Sequence, residues 1–119
     1  MTTETTTATL IATLVEHRDI IADGWTHTIR EATAEAERAD DDRARDMQTR
    51  RAESAVTDRD ACLAHWDEAI ADLECGDYEG ALLSLELARQ IMGHWGDDSV
   101  ERRIIESVED ATAALREAR

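Results

Sequence analysis

Four histidines, two cysteines, 28 carboxylates and 13 arginines are the chemistry-bearing groups of this 119-residue chain, which has no lysine. A metal set is the first arrangement that their spacing allows. His65 and Glu68 lie one helical turn apart, His17 adjoins Glu16, and a hairpin turning near Asp41 brings His17 and His65 to the same height. A cluster of histidine and carboxylate between facing helices is how di-metal bundles hold their ions, but those sites carry a Glu one turn before the ligand His. Cys62 stands at that place here. The expectation is a buried His17 hydrogen-bonded to one carboxylate, with no cofactor; His17, His65 and Glu68 are the metal candidates if one binds.

A second constellation is purely acidic. Asp67, Glu68, Asp72, Glu74, Asp77 and Glu79 crowd around Gly76, and carboxylates at the end of a helix oppose its dipole. A broken local rule can mark a working surface. Such a cluster could receive a basic protein partner or a divalent cation, or imitate the phosphate spacing of DNA as small inhibitor proteins do. The competing explanation is solvation of a salt-adapted surface. Trp95, between Gly93 and Gly96, is the aromatic expected to be partly exposed and joins these residues as a candidate interaction anchor.

Charge narrows the function classes. The formal net charge is −15, and the tract from Asp60 to Glu86 holds eight carboxylates and no arginine. A phosphate-tracking surface needs its cations gathered on one face, so nucleic acid is not expected as a partner of this chain. An acidic, lysine-free surface suits concentrated salt, where screening removes self-repulsion. No apolar run approaches the ~18 residues of a membrane span, and the start MTTETTTATL lacks the basic and apolar blocks of a secretory signal. A soluble, cytoplasmic protein is expected. Cys62 and Cys75 on one helix would be ~20 Å apart, far beyond disulfide reach, so both are read as free thiols.

The elements that must position these groups are helical. Proline is absent, and Ala, Glu, Arg and Leu are abundant. Leu10, Leu14, Ile21, Trp25 and Ile29 form the stripe of a first helix that continues weakly through Ala32 and Ala36, with Gly24 a point where it could bend. Residues 1–7 are expected to be disordered. Residues 35–54 contain Met47 as their only large apolar residue and read as a charged hairpin tip, with five Arg against four Asp between Arg38 and Arg51. Asp40, Asp41 and Asp42 suit the turn and the following N-cap. Val56, Leu63, Trp66, Ile70 and Leu73 mark a second helix that ends before Gly76, and Asp77 should cap a third.

Tyr78, Leu82, Leu85, Ile91 and Met92 stripe that third helix, with Leu83 and Leu87 on a second face, so it is expected to be the most buried. Asp98 and Glu101 form a capping box for a fourth, whose seam runs through Val100, Ile104, Val108, Ala111 and Leu115. The expected fold is all-α and resembles a four-helix bundle: a long antiparallel hairpin followed by two shorter helices in a single domain. Such an unequal bundle leaves part of the hairpin uncovered. A two-fold partner, hence a homodimer, is the usual cover.

Two families share features with the stretch GDYEGALLSLELARQIMGHWGDD. Residues 66–93 resemble one tetratricopeptide hairpin, since Ala69, the turn GDYEGA, Leu85 and Ala88 fall where that family places small or packing residues; the resemblance implies protein binding along a helical groove. It covers a single repeat. The segment RQIMGH resembles the signature of the HEPN four-helix ribonucleases and toxins, an Arg followed a few residues later by a His before the last helix. That resemblance implies a ribonuclease in which His94 takes the proton of a ribose hydroxyl and Arg89 steadies the phosphate. The reading favoured by the residues themselves is different: a small acidic helical adaptor or regulatory module acting through protein contacts, with no complete catalytic set.

Overall fold

The structure, a computed structural model, describes the backbone of residues 3–92, the side chains from residue 7, and beyond these only Glu106, Asp110 and Ala113. Three helices follow one another, α1 Thr3–Arg38, α2 Asp42–Glu74 and α3 Tyr78–Ile91, with no strand among the described residues. The all-helical class expected from composition is therefore met. The predicted fourth helix lies outside the described residues except at Glu106, Asp110 and Ala113, which are helical.

Helices α1 and α2 form the long antiparallel hairpin. Its turn is short because Asp41, in an extended conformation, caps α2 by accepting from the Ala44 amide at 2.7 Å. Antiparallel register is fixed along the length by cross-helix contacts: the Trp66 indole N–H donates to the Leu14 carbonyl at 2.7 Å, Arg18 grips Asp67, and Arg51 lies 3.5 Å from Glu35. An α1 of 36 residues spans ~54 Å, which accounts for most of the 60 × 21 × 19 Å extent of the molecule.

The buried positions explain why two such long helices stay paired. In α1 they are Leu10, Leu14, Ile21, Trp25, Ala32 and Ala36, and in α2 Ala55, Cys62, Trp66, Ala69 and Leu73. In α1 the spacing alternates four and seven, an 11-residue repeat of about 3.67 residues per turn, close to the natural pitch of a straight helix. The seam consequently remains on one face for many turns with little supercoiling. Gly24 does not interrupt it: α1 is one helix, and the Gly24 carbonyl also accepts from the Thr28 hydroxyl at 3.2 Å.

Helix α3 packs on α2 through Ala81, Ser84, Leu85 and Ala88, all buried. Its 14 residues reach only ~21 Å, so it covers the part of the hairpin nearest the Gly76 turn. That part, the base, holds the large fully buried side chains among the described residues: Trp25, Trp66, Leu14, Ile21, Leu73, Leu85, Met92 and Cys62. The remaining arm, roughly residues 29–56, is a helix pair whose buried residues, among those described, are Ala32, Ala36 and Ala55.

Helix α1 begins at Thr3, and the Thr7 hydroxyl is tied to the Tyr78 hydroxyl at 2.7 Å. The charged tip consists of two helix ends with a turn of three residues, Ala39 to Asp41. One expectation changes. The second apolar face of α3 is not buried, because α3 meets α2 with its opposite face: Leu83 is 60% exposed and Leu87 half-buried.

Candidate interaction surfaces

The turn between α2 and α3 shows what the acidic cluster does locally. Gly76 takes φ +79, the left-handed conformation that suits glycine, and two backbone bonds close the end of α2: Gly76 N–H to the Leu73 carbonyl at 3.1 Å and Asp77 N–H to the Asp72 carbonyl at 2.8 Å. This is a Schellman motif, in which the residues at the places of Asp72 and Asp77 usually make an apolar contact. Here both are carboxylates. Asp77 is also the N-cap of α3, accepting from the Gly80 amide at 2.9 Å. A Cβ on Gly80 would sit within 2.4 Å of the Asp77 carboxylate and 3.0 Å of Asp72, so any larger residue there would displace the capping carboxylate. Burial, then the neighbouring Asp77 and Glu68 charges, raise the Asp72 pKa above its ordinary value, while a hydrogen bond from Ser84 works the other way.

Asp67 is engaged as well. Arg18 holds it through two bonds, one from Nε to Oδ1 and one from Nη2 to Oδ2 at 3.0 Å, and the pairing raises the Arg18 pKa. Both side chains are a third or more exposed, so the pair fixes register more than it stabilises. Glu68 stands 3.9 Å from His65 Nδ1. Of the six carboxylates singled out, Glu74 and Glu79 remain exposed without an internal partner among the described residues.

Of the metal candidates, His65 and Glu68 are neighbours on one turn of α2. His17 is half-buried, and its Nδ1 makes no hydrogen bond among the described residues, where a bond to a carboxylate was expected. No group of three His, Cys, Asp or Glu side chains is placed to hold a metal ion among the described residues. Cys62, one turn before His65, is buried in the core with its sulfur 3.9 Å from the Ala88 carbonyl. Burial pushes its thiol up to about 11, with the Trp25 indole acting in the opposite direction and Asp58 adding to the rise. Cys75 is exposed, and both thiols are free. At the end of α3, Arg89 faces the Glu106 carboxylate at 3.9 Å. His94 and Trp95 lie outside the described residues.

Two exposed stripes were not anticipated from the sequence. On the arm, Arg43, Met47 and Arg50 share one face of α2 and, with Asp46, line a shallow depression; Met47, 62% exposed, is the most exposed large apolar side chain among the described residues. On α3, Glu79, Leu83 and Glu86 share the outward face, and Leu83 is the next most exposed, at 60%. Among the described residues none of these four charges makes an ion pair or hydrogen bond. The signal was present in the spacing. Each stripe places one apolar residue four after the first charge and three before the second, with positive charges on one helix and negative charges on the other.

No family model, curated protein or solved structure matches this chain.

Proposed function

We propose that this chain works through protein contacts, as a homodimeric adaptor or regulatory module of the cytoplasm, with a fourth helix from Asp98 completing an unequal four-helix bundle. The observation that supports it is the arm. Two helices project past the end of α3, their buried residues among those described are alanines, and they expose Met47 between Arg43 and Arg50, neither of which makes an ion pair or hydrogen bond among the described residues. A monomer gains nothing in stability from such an extension, because it buries little apolar surface for the chain it orders. An extension of this kind is suited to being covered by another chain.

Native mass spectrometry of the purified chain tests the reading. A dimer mass without added metal supports it. A monomer that cleaves RNA, with cleavage lost in His94→Ala, would replace it by the ribonuclease reading. The pairing of Arg89 with Glu106 sets a carboxylate beside the cation that such a site would turn towards phosphate.

A further inference from the structure

We infer that two copies of this chain pair antiparallel, with the Arg43, Met47 and Arg50 face of each arm seated on the Glu79, Leu83 and Glu86 face of the other copy's α3. The inference rests on the homodimer reading and supplies its interface.

Register carries the first half of the case. Met47 lies two 11-residue repeats before Ala69, which is fully buried and stands two helical turns after Cys62, whose sulfur meets the Ala88 carbonyl of α3. Met47 therefore occupies the α3-facing side of α2 at a height that α3 does not reach. Moving from base to arm, the same register position is buried at Ala69, half-buried at Asp58 and exposed at Met47. The end of α3 leaves a step one helix thick, ~10 Å, and a helix laid in that step would cover Met47 as α3 covers Ala69.

Charge identifies the occupant. The covering helix must offer an apolar residue flanked by two carboxylates at spacings of four and three, and α3 carries that pattern on its outward face. Because each triplet is four then three, either relative direction of the two helices matches both arginines with glutamates.

Geometry then closes the pair. The Cys62 sulfur meets the Ala88 carbonyl, so on these antiparallel helices Leu83 stands near the level of Asp67 on α2, ~30 Å along the rod from Met47. When two stepped rods lie antiparallel about a two-fold axis midway between these levels, both contacts form at once, and each α3 fills the other's step. The contact is isologous and ends at two copies, whereas one stripe pairing alone would propagate into a filament.

Sedimentation equilibrium of the full chain, with helix content checked by circular dichroism, tests this with two double variants. Arg43→Glu with Arg50→Glu, and separately Glu79→Arg with Glu86→Arg, place like charges across both contacts and should weaken self-association by roughly 10- to 100-fold. Mixed one to one, the two variants restore opposite charges at both contacts and should form a heterodimer of near wild-type affinity. A wild-type dimer that neither variant weakens, or a mixture that does not recover, would overturn this interface while leaving the homodimer standing. A wild-type monomer at millimolar concentration would overturn both.

Discussion

Base and arm are cut from the same two helices and continue the same seam, yet they are held together differently. In the base the seam positions carry Leu14, Ile21, Trp25, Cys62, Trp66 and Leu73, and α3 closes over them. In the arm they carry Ala32, Ala36 and Ala55. Each large side chain buried in the base contributes ~1.5–3 kcal/mol, and an alanine far less, so nearly all the driving force for folding sits at one end of the rod. Alanine brings two helices close and keeps them straight, but it anchors them weakly. A long register-matched hairpin can thus be stable as a whole while half of it stays free to be completed by another surface.

The largest break in this comparison comes from the base. Trp66 fills the core and donates to the Leu14 carbonyl, so Trp66→Ala should cost ~3–5 kcal/mol in denaturant unfolding. Trp66→Phe should cost about 1–2 kcal/mol, isolating the lost hydrogen bond.

The buried thiol separates the regions by reactivity. At pH 8 a thiol reagent should label Cys75 quickly and Cys62 only after unfolding, and a folded protein that takes two labels at once would show an open base. The Cys62 pKa is raised in the folded state from 9.0 to about 11, so folding keeps the full benefit below about pH 9 and loses it as the pH climbs towards 11. Thermal unfolding across that window should show the decline, and Cys62→Ala should flatten it.

The two N-caps sharpen the contrast, because the same side chain does the same work at opposite ends. Asp77→Ala should lower global stability by about 1 kcal/mol. Asp41→Ala removes an equivalent bond in the arm and should appear mainly as local fraying near the turn. Equal losses in global unfolding would mean that arm and base melt as one unit.

The smallest effect concerns Asp72. Its raised pKa means that the folded state holds the proton more tightly, so stability is greatest below the ordinary carboxylate pKa and declines as pH rises through the folded value. Asp72→Asn keeps an acceptor for Ser84 and removes the charge beside Asp77. It should raise the melting temperature slightly at pH 7 and have no stabilising effect at pH 3.

Much of the fold was legible because it follows from periodicity and caps. The seam of α1, the break at Gly76 and the cap Asp77 were readable from residue type and spacing, and the cap of α2, Asp41, was narrowed to Asp40, Asp41 and Asp42. Burial of the weakly apolar stretch was harder, since Ala55 and Ala69 carry seam positions that the larger Val56 and Ile70 suggest elsewhere. Val56 and Ile70 are only half-buried. The acidic cluster misled for a physical reason: composition reveals charge but not whether a carboxylate is spent on an amide or a guanidinium, as Asp77 and Asp67 are. The two exposed stripes escaped notice because a single Met among charges, or a Leu among leucines, becomes distinctive only when the length of α3 shows which faces stay open.

Hydrogen exchange along α2, measured by mass spectrometry at micromolar and millimolar protein, tests the division of labour most directly. At low concentration residues 43–52 should exchange far faster than residues 62–73, and at high concentration their protection should rise while that of the base is unchanged. Uniform protection along α2 at both concentrations would contradict it, because the arm would then be a finished part of the fold with nothing left to be covered.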